Sequence, residues 1–292
     1  MSGRIVVGID GSAQSANALD WAVARAGLGG QDLELVNAYS LPADLDFYGY
    51  QGFGASQPVA WFMEYSQQLL DAAVAHVKDV APDITCTTTS AMSSPAHALA
   101  TASEGADAVV VGRRGLGAAT SVLLGSVSNR LTVEATCPVV VIGDGEVPPT
   151  GPIVVGVDGS EFGTHALRYA VAEAAVRSTS VRAVTAYRLT DRPGAIDPEL
   201  AARMRADIEA EAADITAQAL AAVGDDARVR VEPVVVDGRP ADAILDNAGD
   251  AQLIVVGTHG KGFVRRFLLG SVSRQLLNDA DRPVAVVDLP EA

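Results

Sequence analysis

The sequence predicts an α/β fold: two repeated doubly wound domains, each a five-stranded parallel sheet in the order 3-2-1-4-5 with helices on both faces. Three observations predict it. Short β-branched runs alternate with helical periodicities, an order that calls for parallel strands joined by right-handed crossovers. The pattern runs through once and restarts near residue 152. Each pass also carries the same Gly-rich stretch, G-x2-G-x9-G-S, directly after its fourth apolar run, Ala108 to Val111 and Leu253 to Val256.

Ile5 to Ile9 is the first strand and ends at Asp10-Gly11-Ser12. Ala16 to Ala26 is helical, with Ala18, Leu19, Ala22, Val23 and Ala26 on one face. Leu33 to Ala38 is the second strand. Gln57 to Val80 reads as a helix led by Pro58 and carrying Trp61, Leu69, Leu70, Ala73 and Val77. Ile84 to Thr89 is a strand, Pro95 to Ser103 a short helix, and Ala108 to Val111 the fourth strand. After the Gly loop, a helix from Ser126 to about Glu134 leads to the last strand, Val139 to Ile142.

Gly151 to Ser160 then repeats Gly3 to Ser12 at an offset of 148, as Thr185-Ala186-Tyr187 repeats Asn37-Ala38-Tyr39. Pro95, Gly112, Gly125 and Pro138 return as Pro240, Gly257, Gly270 and Pro283 at an offset of 145. Three residues are therefore lost between Tyr187 and Pro240, and the loop before the second helix is the expected place. This is a duplicated domain. The expected boundaries are 1–143 and 152–292, with 144–151 as a Gly- and Pro-rich linker. Ser40 to Gln57 is longer than its counterpart, Leu189 to Pro198, and reads equally as a surface insertion or a lid.

At 292 residues and 49% hydrophobic content, the chain has material for about two cores. Aromatics are only 5%, so those cores are built from Ala, Val, Leu and Ile. The net charge of −15 argues against nucleic acid or an anionic membrane as a partner of the surface as a whole. Any anion site must be local, made by backbone amides and a few of the nineteen arginines. Two cysteines, Cys86 and Cys137, make neither a disulfide framework nor a metal-ligand spacing, and read as small apolar fillers. With no signal-peptide pattern and no apolar run near the roughly 20 residues of a membrane span, a cytoplasmic protein is expected.

A strand that ends in a Gly-rich loop and re-enters a helix at Gly-Ser can hold phosphates. Glycine allows positive φ and close backbone approach, and the helix start offers N–H groups and the positive end of the macrodipole. In doubly wound sheets, ligands sit beyond the carboxyl ends of the strands. If strands one and four are neighbours, Asp10 faces the Gly112 loop and Asp158 the Gly257 loop. A carboxylate there accepts from ribose hydroxyls or helps to hold a hydrated metal; otherwise Asp-Gly-Ser simply starts the first helix, by Asp or Ser capping.

Ser126 and Ser271 read as N-caps that leave neighbouring amides for phosphate. Leu123-Leu124 and Leu268-Leu269 read as packing residues. Arg113, Arg114, Lys261, Arg265 and Arg266 are phosphate partners or plain exposed cations. His259 has no Cys or carboxylate at ligand spacing; His76, His97 and His165 fall on helices. There is no G-x4-G-K-[ST], no G-x-G-x-x-G after the first strand and no G-x-S-x-G elbow.

The strand-Asp starts, the paired Gly loops and the closing strands Pro138 to Ile142 and Pro283 to Val287 resemble a tandem universal stress protein of the ATP-binding branch, with an adenine nucleotide alpha hydrolase-like fold. The resemblance implies ATP as ligand, with Mg2+ or Mn2+ bridging its phosphates, and no metal-ligating residues of its own. Asp10 and Asp158 would contact the adenosine part, and the main chain of Ala38 and Ala186 the adenine. Val111 with Gly112, and Val256 with Gly257, would line base and ribose. Gly115, Gly125, Ser126 and Val127 would surround the phosphates, as would Gly260, Gly270, Ser271 and Val272. The last strands would pair within one chain as a pseudo-dimer, with a further homodimer open. Arg113-Arg114 departs from the small or His residues usual there.

The expected function is a nucleotide-dependent stress-response regulator with one ATP site per domain. No base, nucleophile or Walker lysine is aimed at a γ-phosphate, so no catalytic residue is assigned. A slow ATPase, and an interaction scaffold with vestigial sites, are the competing readings.

Overall fold

The computed structural model describes residues 3–40, 57–115, 124–188, 197–224, 229–260 and 269–289. The chain divides into two compact units, Met1–Ile142 and Gly143–Ala292. In the first, the elements run β1 (Arg4–Gly8), α1 (Ala13–Gly29), β2 (Asp32–Tyr39), α2 (Gln57–Val80), β3 (Cys86–Met92), α3 (Pro95–Ala102), β4 (Ala108–Gly112), α4 (Ser126–Glu134) and β5 (Val139–Ile142). The second repeats them as β6 (Ile153–Gly156), α5 (Glu161–Arg177), β7 (Val181–Tyr187), α6 (Pro198–Val223), β8 (Val231–Asp237), α7 (Pro240–Asp246), β9 (Leu253–Gly257), α8 (Ser271–Asp279) and β10 (Val284–Val287).

The strand order within the first unit is β3-β2-β1-β4-β5, and within the second β8-β7-β6-β9-β10. All these pairings are parallel. The expected 3-2-1-4-5 order is therefore present twice. Central strands covered on both faces must be apolar throughout. Accordingly Val6, Val7, Val109 and Val110 are fully buried, as are Val154, Val155, Ile254 and Val255.

The helix faces follow the expected periodicity. Ala18, Leu19, Ala22, Val23 and Ala26 of α1 are all buried, as are Leu70, Ala73 and Val77 of α2. Trp61 is 65% exposed and belongs to no core. The third strand lies later than expected, at Cys86–Met92 instead of Ile84 to Thr89. Ile84 is consumed by a turn, its N–H donating to the Ala81 carbonyl at 3.1 Å. The strand then gains Ser90 to Met92, which pair with Asn37 to Tyr39 of β2.

The loss of residues falls where it was expected, before the second helix, but is larger than three and partly regained afterwards. Eighteen residues separate Tyr39 from Pro58 but ten separate Tyr187 from Pro198, a loss of eight. The longer α6 and the stretch of sequence after it regain five before β8. The lid or insertion segment 41–56 and its counterpart 189–196 lie outside the described residues. Among the described residues, no helix is long and apolar enough to cross a membrane.

Two small features carry predictions. Helix α1 closes on Gly30 at φ 70°, whereas α5 closes on Ser178, a non-glycine residue at φ 52°. Left-handed backbone costs an L-residue roughly 1–2 kcal/mol. Ser178→Gly should raise stability by about 1 kcal/mol in chemical denaturation; an unchanged midpoint would mean that the serine side chain offsets the strain.

Burial, and secondarily the charge of Asp107, pushes the Cys137 thiol up to about 12. Since the thiolate is the nucleophile, alkylation at pH 8 should be at least roughly a hundredfold slower in the folded protein than in urea. Rates should still climb with pH beyond 10, and fast labelling of Cys137 at pH 8 would contradict its role as an apolar filler.

Candidate nucleotide site

Among the described residues, each unit has a cavity at the carboxyl end of its sheet. In the first, β1 stops at Gly8, and the Asp10 Oδ1 accepts the Ser12 N–H at 2.9 Å. Gly11 takes φ 82° in that turn, and the Ser12 hydroxyl oxygen accepts the Ser15 N–H at 3.1 Å to cap α1. The capping alternative is thus half right: Ser12 caps, while Asp10 shapes the turn and lines the cavity.

Because β1 lies beside β4, the loop leaving β4 passes over Asp10. Gly115 approaches so closely that a Cβ there would collide with Asp10 Oδ2. The Arg113 N–H donates to the Ile142 carbonyl at 2.8 Å, and the Arg114 N–H to Gln14 Oε1 at 2.5 Å. The chain then returns at Gly125, whose N–H donates to the Arg113 carbonyl at 2.9 Å. Buried Ser128 donates its hydroxyl to the same carbonyl at 2.9 Å.

Helix α4 starts immediately afterwards with Gly125 as N-cap and no side-chain cap. Ser126 is therefore not an N-cap, contrary to the sequence expectation; it is the first helical residue and exposed. A glycine at the cap leaves the first-turn amides to whatever occupies the cavity.

The second unit repeats the plan. Asp158 Oδ1 accepts the Ser160 N–H at 3.0 Å and its hydroxyl at 2.6 Å, and Ser160 caps α5 through the Gly163 N–H at 3.0 Å. A Cβ on Gly260 would lie 2.6 Å from Asp158 Oδ2. The Gly270 N–H donates to the Thr258 carbonyl at 2.9 Å, and the Ser273 hydroxyl to the Gly257 carbonyl at 2.7 Å. Gly270 is the N-cap of α8, again without a side-chain cap, which displaces Ser271 from that role.

The motif glycines owe their identity to space, not to positive φ. None of Gly112, Gly115, Gly125, Gly257, Gly260 or Gly270 has one. A Cβ on Gly125 would stand 2.9 Å from the Arg113 carbonyl oxygen, and one on Gly257 2.8 Å from the Phe162 Cβ. Both are closer than real Cβ atoms approach such neighbours.

All sixteen residues expected at the sites line these cavities. Asp10, Ala38, Val111, Gly112, Gly115, Gly125, Ser126 and Val127 line the first. Asp158, Ala186, Val256, Gly257, Gly260, Gly270, Ser271 and Val272 line the second. β1 ends opposite Val36, so the main chain of Ala38, two residues on and on the same edge, lies beyond the β1 pairing and reaches the cavity wall. Ala186 stands likewise beyond Val184, opposite the end of β6.

The sequence reading missed Leu99 and Ile244, which wall the cavities from α3 and α7, and the Ser128 and Ser273 clamps. The second Ser of Gly-Ser-Val-Ser, present in both repeats, was the available signal. Arg113 and Arg114 line the first cavity; Lys261, Arg265, Arg266, Leu123 and Leu268 lie outside the described residues, while Leu269 is buried.

His259 lines the second cavity, its Nδ1 3.1 Å from the Thr258 hydroxyl. Among the described residues, no group of three His, Cys, Asp or Glu side chains could hold a metal. His76 instead pairs with Asp20 at 2.6 Å, and burial holds the His165 imidazole below its usual range.

The serine clamps give a direct test. Ser128→Ala or Ser273→Ala removes a buried hydroxyl hydrogen bond from the loop, so each should cost about 0.5–1.5 kcal/mol of unfolding free energy. Serine-to-alanine at exposed Ser126 should cost less than about 0.5 kcal/mol in the same denaturation assay. Equal effects would remove the clamp.

Comparison with known proteins agrees with this architecture. The model of the universal stress protein family matches residues 1–143 and again 150–288. A universal stress protein of Mycobacterium tuberculosis (strain H37Rv) is 33% identical over 295 residues, covering 97% of this chain and 96% of that one. One from Mycolicibacterium smegmatis is 32% identical over 299 residues, covering 97% and 96%. The crystal structure of a universal stress protein from Archaeoglobus fulgidus shares the fold with a TM-score of 0.66 at 21% identity, covering 99% of both chains. With two family matches spanning nearly its whole length, the chain belongs to the universal stress protein family, as a tandem of two of its domains.

Proposed function

We propose that each domain binds an adenine nucleotide, with ATP as the physiological ligand of the protein, and that occupancy makes the chain a nucleotide-dependent stress-response regulator. One observation carries the reading. Twice in the molecule, a helix begins on a glycine without a side-chain cap, beside a close-packed Gly loop and opposite an Asp from the first strand. Such a helix start favours anions through its amides and dipole.

In this reading the phosphates lie against Ser126, Val127, Ser271 and Val272, and the adenosine against Asp10 and Asp158. The main chain of Ala38 and Ala186 meets the base. The described carboxylates at each cavity are these single aspartates. A Mg2+ or Mn2+ ion would therefore take most of its ligands from phosphate and water, supplying charge neutralisation to the bound polyphosphate. A lone carboxylate is a poor set for activating water, which favours binding over turnover. The domain limits 1–143 and 152–292 and a cytoplasmic location belong to the same proposal; two unpaired cysteines support the latter.

The test uses protein purified from cells, denatured, with released small molecules identified by chromatography and mass. Adenine nucleotide should appear. Added ATP with Mg2+ should raise the unfolding free energy by about 2.7 kcal/mol at a hundredfold excess over Kd. No nucleotide and no shift would overturn the reading and promote the scaffold. Phosphate release above a buffer control, lost in Asp10→Ala or Asp158→Ala with binding retained, would add an ATPase activity.

A further inference from the structure

In the first unit, the turn that carries Asp10 is held from both sides by buried carboxamides: Asn37 on β2, and Gln14 in the first turn of α1. Neither is among the described residues that line the cavity, yet each is bonded to backbone that does.

Asn37 acts on the residue before Asp10. The Ile9 N–H donates to the Val36 carbonyl at 2.9 Å, and the Ile9 carbonyl accepts from Asn37 Nδ2 at 2.6 Å. Both backbone groups of Ile9 are thus bonded to consecutive residues of β2, which fixes the direction in which the chain enters Asp10. A carbonyl can only accept, so the nitrogen of the amide must face it.

Gln14 acts on the opposite wall. Its Oε1 accepts the Arg114 N–H at 2.5 Å, across 100 residues of sequence, and here only the amide oxygen can serve. Arg114 precedes Gly115, where a Cβ would collide with Asp10 Oδ2. Gly112 makes room for the glutamine, since a Cβ there would lie 2.8 Å from the Gln14 Cβ. One donor and one acceptor therefore tie the strand that leads into Asp10 and the loop that crosses it. A site whose walls are held before the ligand arrives loses less binding free energy to ordering.

We propose that Asn37 and Gln14 are positioning residues of the first site: Asn37 holds Asp10, Gln14 holds the loop above it, and together they fix the gap that receives the adenosine part. The inference rests on the adenine-nucleotide reading above, and its test separates the two. The second repeat has Thr185 and Phe162 at these positions. Thr185 shares a hydrogen bond with the Thr216 hydroxyl of α6 at 2.6 Å, and the Phe162 ring offers no amide. Substitutions at 14 and 37 therefore address the first domain, and the second serves as the reference within the same molecule.

Calorimetric titration of the full chain with ATP and Mg2+, and separately with adenosine, provides the readout. Gln14→Met keeps the length of the side chain without its amide. It should weaken one of the two binding events roughly tenfold for both ligands and leave the other within about twofold, which also shows that the variant is folded. Asn37→Thr, which installs the residue of the second repeat, should weaken the same event. Gln14→Glu keeps an oxygen for the Arg114 N–H, and adenosine carries no phosphate to repel the new charge. That variant should bind adenosine within about twofold of wild type.

Wild-type affinities in Gln14→Met and Asn37→Thr would overturn the positioning role and leave nucleotide binding standing. So would adenosine binding as weak in Gln14→Glu as in Gln14→Met, or equal weakening of both events. Absence of any adenine-nucleotide binding by wild type would instead overturn the nucleotide reading itself.

Discussion

The hydrogen bond that closes each Gly loop is the constraint on which the site depends. Gly125 N–H to the Arg113 carbonyl, and Gly270 N–H to the Thr258 carbonyl, both at 2.9 Å, bring the chain back to its point of departure after an excursion of a dozen residues. Closing such a loop costs entropy that grows only slowly with its length. The closure fixes the start of α4 and α8 whatever lies between. It also demands glycine, since a Cβ at either position would press on the accepting carbonyl. The last glycine of each motif is the geometric requirement of that bond, while the first, Gly112 or Gly257, makes room for Gln14 or Phe162.

The sheet supplies the second constraint. Placing β1 beside β4 brings the end of the first strand under the loop that leaves the fourth. Asp10 and Asp158 then meet Gly115 and Gly260. The same adjacency ends β1 opposite Val36 and lets the edge of β2 run on to the cavity. Fold and site thus have one origin, a pair of parallel strands whose crossover is long enough to hold three helices and two strands.

This explains what was legible in the sequence. Apolar runs at Ile5, Val109, Ile153 and Ile254 announce buried parallel strands, and the strand order alone sets Asp10 against its Gly loop. Features that depend on which atom donates to which were not legible. Gly-Ser reads naturally as a serine cap, yet the glycine takes that place, and the hydroxyl that matters is on Ser128, two residues further on. Likewise Gln14 and Phe162 look like ordinary positions in a first helical turn. Only packing shows that one ties the loop and the other supports His259.

A duplicated domain makes the division of labour visible. The parts that grip by backbone, the closing bond and the glycine cap, are the same in both copies, while the clamping serine shifts its acceptor from the Arg113 carbonyl to that of Gly257, one position earlier in the repeat. The parts that act through side chains, at positions 14, 113 and 114 against 162, 258 and 259, differ completely. An anion held by main-chain amides is indifferent to neighbouring side-chain identity so long as those amides stay in place. Substitution beneath the loop can therefore alter the charge and room of a cavity without dismantling the glycine-capped helix start on which it is built.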